Sequence, residues 1–155
     1  MSELGIDLSA NDASAQWTPG TVVTLDTEQG SKKYKYVQYS TGAGTVAAVA
    51  GNVAGYQKIA TAGVGGYIVT SDVSDTDGVG AGVLQAALTD DYYGWVQVSG
   101  LATLTTALTA GADGNALTLV GAGDGTLDVS ALVTDVVVAS ALDASAKVIH
   151  CMFPL

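Results

Sequence analysis

Arginine is absent from this 155-residue chain, and other basic or reactive side chains are few: five Lys, one His and one Cys. Against the lysines stand 13 Asp and 2 Glu, for a formal net charge of −10. That balance argues against a nucleic-acid partner, because neutralising phosphates requires a basic face. A lone cysteine, Cys151, permits no intrachain disulfide. It sits in KVIHCMF, where Ile149, Cys151 and Phe153 share a strand face, so a buried, inert thiol is expected. Charged residues make up only 13% of the chain, about half the usual share. The surface is therefore built from Ser, Thr, Gly and Asn, or part of it is hidden in an assembly. No run of 18 residues is apolar without Gly, Ser or Thr, and MSELGIDLSAND has neither a basic nor an apolar leader region. Cytosolic synthesis, no N-terminal export signal and no membrane partner are the expectations.

The apparatus of catalysis is equally sparse. There is no G-x-S-x-G elbow, no Gly-Lys-Ser/Thr and no G-x-G-x-x-G. His150 and Cys151 are neighbours, so on a strand they point to opposite faces and cannot form a dyad. A non-enzymatic protein without a cofactor is expected. The G-x-G pieces at 42–44, 63–65, 78–82 and 121–125 read as turn and bulge glycines. The run Ser71–Gly78 places Asp72, Asp75 and Asp77 where they could offer oxygens to calcium. The bidentate Glu of a calcium loop is missing, with Val83 near its place, so a solvated acidic loop without metal is the expectation.

What the chain does contain is short alternating strands. TVVTLD (21–26) and KYKYVQYS (33–40) flank a turn, with Tyr34 and Tyr36 on one side of the second strand and Lys35, Val37 and Tyr39 on the other. Further strands are expected at 45–49, 53–57, 66–71, 83–88, 93–99, 101–106, 116–120, 126–129, 135–140 and 147–153. Asp-Gly pairs at 77–78, 113–114 and 124–125 lie between apolar runs and signal hairpins. The fold class that follows is all-β: a sandwich or barrel-like domain of short antiparallel strands over 19–155, with an extended N-terminal arm over 1–18.

Three groups of residues suggest contacts. Leu4, Ile6 and Leu8 alternate as an added strand would, and with Trp17 they make the arm a candidate for gripping a partner or its own domain. Lys32, Lys33 and Lys35 are either a solvated strand edge or one side of an electrostatic seam with a neighbouring acidic copy. Tyr92, Tyr93 and Trp95, and separately Tyr34, Tyr36 and Tyr39, are suited to packing, an oligomer contact or a sugar-stacking platform.

The stretch TDDYYGWVQVSG (89–100) resembles tailed-bacteriophage head decoration, or cement, proteins, as do ALTAGADGNALTLVGAGDGTLDV (107–129) and ALDASAKVIHCMFPL (141–155). The resemblance covers residues 82–155 and rests on pattern rather than a catalytic signature. It implies a virion protein on the capsid exterior, often trimeric, that bridges neighbouring major capsid subunits and carries no active site. The alternative is a surface-displayed β-module that adheres to glycans through its tyrosines.

Overall fold

The computed structural model describes residues 5–59 and 66–155. Its strands are β1 (Val22–Thr27), β2 (Gly30–Tyr39), β3 (Val53–Gln57), β4 (Ile68–Thr70), β5 (Thr76–Leu84), β6 (Tyr93–Thr103), β7 (Ala116–Thr118), β8 (Asp128–Val129), β9 (Val137–Asp143) and β10 (Val148–Met152). The lengths of β2 and β6 determine how they connect. They pair antiparallel from Lys33↔Ser99 to Gln38↔Tyr93. β2 gives its other edge first to β1 and then to β4, while β6 gives its other edge to β5 and then to β10. The circuit β2-β4-β3-β5-β6 thereby closes into a five-stranded barrel, and β10-β9-β7-β8 continues outward from β6. The fold is all-β and barrel-like, as the alternating patterns indicated.

Alternation along β2 and β6 divides the apolar residues between two cores. Val37, Tyr39, Val96 and Val98 face a large core shared with Leu117, Leu119, Ile149 and Phe153 of the C-terminal layer. Tyr34, Tyr36 and Trp95 point to the other side, where Val23, Leu25 and Ile6 join them. Glycines let the layers approach: a Cβ on Gly80 would stand 2.8 Å from Phe153 Cε1, so that ring lies directly on the β5 backbone.

Several local expectations are corrected. Residues 45–49 form no strand, because Val46 N–H turns back to the Thr41 carbonyl (2.8 Å) and Tyr39 Oη donates to the Val46 carbonyl (2.7 Å). The strand expected at 83–88 instead begins at Thr76 and ends at Leu84. Asp77-Gly78 closes no hairpin; it lies inside β5, with Gly78 at φ +81°. Asp113-Gly114 precedes β7 without joining paired strands, whereas Asp124-Gly125 lies, as the hairpin signal indicated, in the connection between β7 and β8, which pair antiparallel. The strands expected at 93–99 and 101–106 are one strand, β6, passing through Gly100 at φ +95°. Pairing is antiparallel except between β2 and β4, where Gln38↔Ile68 and Tyr39↔Val69 run parallel. The glycines at 63–65 lie outside the described residues.

Candidate interaction surface

The described part of the N-terminal arm folds back on its own barrel. Ile6 is 2% exposed in the aromatic core, with Leu8 and Tyr93 packed at its margin. Asp12 and Tyr93 exchange both main-chain hydrogen bonds (2.9 and 2.8 Å). Tyr36 Oη donates to Asp12 Oδ2 (2.6 Å) and accepts from Gln16 N–H (3.2 Å). Burial, and secondly the Asp12 hydrogen bond, push the Tyr36 phenol up to about 12. Ile6 is thus committed to an intramolecular contact rather than held out for a partner, and residues 5–8 add no strand. The reason is the outer face of β2 and β6, whose aromatic rings need a cover. Leu4 lies outside the described residues.

Of the other aromatics, Trp95 is buried and meets Tyr36 at 4.9 Å between ring centroids, while Tyr92 and Tyr93 are half-buried. Tyr34, Tyr36 and Tyr39 are 5%, 0% and 0% exposed, so this group offers no platform to a sugar: its rings are packed inside. Trp17 remains on the surface, 37% exposed and edge-on to Trp95 at 6.2 Å. Beside it is an open cleft of about 580 Å³ lined by Asp7, Asn11, Asp12, Gln16, Trp17 and Trp95 among others.

Lys33 and Lys35 do not lie on a sheet edge, because β2 is bonded to β1 on one side and, from Lys33 onward, to β6 on the other, whereas Lys32 is paired with β1 alone. Lys32 Nζ donates to Gln29 Oε1 (2.9 Å). Lys35 Nζ donates to Tyr56 Oη (2.7 Å) and stands 5.0 Å from that ring's centroid. These acceptors are neutral.

The acidic run is only partly the solvated loop expected. Asp77 is exposed, but Asp72 and Asp75 are 2% and 5% exposed. Asp72 accepts from Ser74 Oγ (2.6 Å), Ser74 N–H (3.2 Å) and Gly44 N–H (2.6 Å), which hold its carboxyl below the usual range. Asp75 accepts from Gln57 Nε2 (2.6 Å) and Ala43 N–H (3.3 Å). The Gly42-Ala43-Gly44 loop can close on them because it lacks bulk: a Cβ on Gly44 would stand 2.8 Å from Asp72 Oδ2. These two carboxylates are a clip between loops. Among the described residues no three His, Cys, Asp or Glu side chains converge to hold a metal.

One surface feature had no counterpart among the residues singled out from the sequence. Eight of the twelve exposed large apolar residues among those described lie between 120 and 155. The most prominent are Leu132 (64%) and Val133 (105%), at the tip of the β8–β9 connection. Asp135 ties this tip together: its Oδ2 accepts from the Ala131 and Leu132 amides (2.9 Å each), and its own N–H donates to the Leu132 carbonyl (3.1 Å). The Leu132 and Ala131 bonds hold the Asp135 carboxyl below its ordinary value. The only sequence signal was an apolar pair, Leu132-Val133, set between Ser130-Ala131 and Thr134-Asp135.

On β10, His150 is exposed while Cys151 is 1% exposed, its thiol pushed up to about 12 by burial. The two point apart, as their adjacency required. No family model, no curated protein and no solved structure matches this chain.

Proposed function

We propose that this protein is a structural, non-enzymatic component of a tailed-bacteriophage virion, decorating the outside of the head and bridging neighbouring major capsid subunits. The observation that carries the reading is the concentration of exposed apolar residues in the C-terminal third, above all Leu132 and Val133 on a tip held by Asp135. Aliphatic side chains exposed on a tip whose backbone is already tied by hydrogen bonds are available to a partner at little cost in ordering. The resemblance over residues 82–155 supplies the virion context, and the partners are then the major capsid protein and further copies of the chain, as a trimer. Many modest contacts repeated over a shell would hold such a protein by avidity. The test is to add the purified protein to phage heads that lack it and measure co-sedimentation and thermal resistance of the shell. Saturable binding with a stabilised shell is expected. Heads that neither bind it nor gain resistance would refute the reading.

The cleft beside Trp17 favours a second reading, adhesion to glycans. An exposed indole next to carboxylate and amide side chains suits stacking on a sugar while bonding its hydroxyls. Binding on a glycan array that disappears in Trp17→Ala would establish it; silence across the array would remove it.

A further inference from the structure

The sheet ends in β1 on one side and in β8 on the other. β8 is two residues long, too short to template another strand. β1 runs for six residues, in unbroken register with β2 from Val22↔Lys35 to Thr27↔Gly30. The bond from Tyr36 N–H to the Thr21 carbonyl (2.9 Å) sets the phase of that ladder. Val23 and Leu25 therefore turn their main-chain groups toward β2, while Val22, Thr24 and Asp26 turn theirs away from it. Among the described residues nothing bonds to those outward amides and carbonyls, and all three residues are exposed. Edge strands are ordinarily guarded by Pro, Lys or a bulge, and β1 has none of these. The lysines stand one strand in, on β2, where Lys33 and Lys35 pair with Thr24 and Val22 and share their face. Lys32 and Lys35 have acceptors in Gln29 and Tyr56; Lys33 has none among the described residues. Asp26 Oδ1 accepts from Ser31 Oγ (2.6 Å), and its Oδ2 has no bond among the described residues.

We infer that β1 pairs antiparallel with β1 of a second copy, about a two-fold axis through Thr24, so that the sheet continues from one copy into the next. Register and charge both select a second copy as the occupant. Val22 then faces Asp26 of the other copy and Thr24 faces Thr24, so every outward amide and carbonyl finds a main-chain partner. Thr opposite Thr is a favourable cross-strand pair. The two Asp26 carboxylates stand at opposite ends of the pairing, about 13 Å apart along the strands. Each comes instead to the lysine side of its neighbour. Two strand spacings, about 10 Å, separate Asp26 of one copy from Lys35 of the other, with Lys33 on the diagonal, and a lysine stem spans most of that gap. The contact thus gives Lys33, unpaired within its own chain, a carboxylate from the next. It goes beyond the proposed function: a two-fold contact joins copies in pairs, and so links neighbouring trimers rather than forming them.

The experiment uses cysteine additions to the full chain, with native Cys151 left in its buried position. Thr24→Cys should crosslink to itself under mild oxidation, since hydrogen-bonded cross-strand pairs stand about 5.5 Å apart at Cα, within disulfide range. Val22→Cys and Asp26→Cys should crosslink when mixed, and neither should do so alone. Sedimentation of the unmodified protein should show concentration-dependent association that weakens with added salt. The Thr24 amide should exchange slowly in the associated state and fast on dilution. Thr24→Pro deletes an outward amide without touching the β1–β2 ladder, and should weaken association at least about tenfold while circular dichroism stays native. Asp26→Lys, which asks less of the backbone, should weaken it about fivefold, and adding Lys33→Asp should restore it. Crosslinks in another register, association indifferent to both variants, or a protein that stays monomeric at every concentration would overturn the pairing. So would a Thr24 amide protected only on phage heads, which would give the edge to a strand of the shell. Heads decorated by chains that do not pair through β1 would refute this contact and leave the capsid reading standing; paired chains that ignore heads would do the reverse.

Discussion

Replacing Tyr36 by Phe removes a single oxygen and tests what holds the N-terminal arm to the barrel. The ring itself keeps its place, stacked on Tyr93 at 6.0 Å and tilted against Trp95 at 4.9 Å. What disappears is the 2.6 Å bond to the Asp12 carboxylate and the acceptor for Gln16 N–H. Hydrogen bonds to charged groups contribute about 1.5–3 kcal/mol. Asp12 is only half-buried and regains water when released, so the lower end applies, about 1.5 kcal/mol. With a urea m-value of about 2 kcal/mol/M, the midpoint should fall by about 0.7 M. A double-mutant cycle with Asp12→Asn isolates the pair, and a coupling of about 1 kcal/mol or more is expected. Hydrogen exchange should show the Tyr93 amide, which donates to the Asp12 carbonyl, opening sooner than the amides of β2. The phenol adds a pH test. Its folded value, about 12, lies above the ordinary 10, so its contribution is complete below 10 and is lost as pH rises through 12. Tyr36→Phe should remove that alkaline loss. Zero coupling in the cycle, with an unchanged alkaline limb, would show that the arm is held by apolar packing alone.

Other consequences can be measured as simply. Gly55→Ala drives a methyl into Leu119 Cδ2, with Thr76 Cγ2 and the Val79 carbonyl each 3.1 Å away, and should cost about 1–3 kcal/mol in thermal or urea unfolding. The carboxyls of Asp7, Asp72, Asp135 and Asp143 are held below 3.8 chiefly by their hydrogen bonds. The stability they contribute is complete above that value and drains as pH falls below it; Asp72→Asn should lower stability at neutral pH and flatten part of the acid loss. Cys151, 1% exposed with its thiol near 12, should resist alkylation in the native protein and react once denaturant is added. Asp135→Ala should leave global stability nearly unchanged while freeing the Ala131 and Leu132 amides to exchange, since the tip is exposed.

Much of β1, β2 and β10 was legible because alternation over five or more residues marks which side chains face a core. The same rule separated Tyr34 and Tyr36 from Val37 and Tyr39, which do face different cores. It failed at 45–49, where Thr-Val-Ala-Ala-Val looks extended but its amides bond locally and the loop closes over Asp72. It failed again for Asp72 and Asp75, because local sequence shows acidity but not the small glycine loop that arrives from about thirty residues earlier to shield it. As for the candidate contacts, Trp17 was identified and is exposed, whereas Ile6 is enclosed and Leu132 and Val133 went unnoticed.

Composition and periodicity by themselves determined an all-β chain, a strong excess of negative charge and a cysteine and histidine facing apart, since each depends only on residue type or on neighbours along one strand. Closure into a barrel, the arm laid over Tyr36 and Trp95, the buried acidic clip and the projecting apolar tip were decided by tertiary structure. They depend on which strand edges meet and which loops cross, and that outcome is set by contacts between residues far apart in the chain.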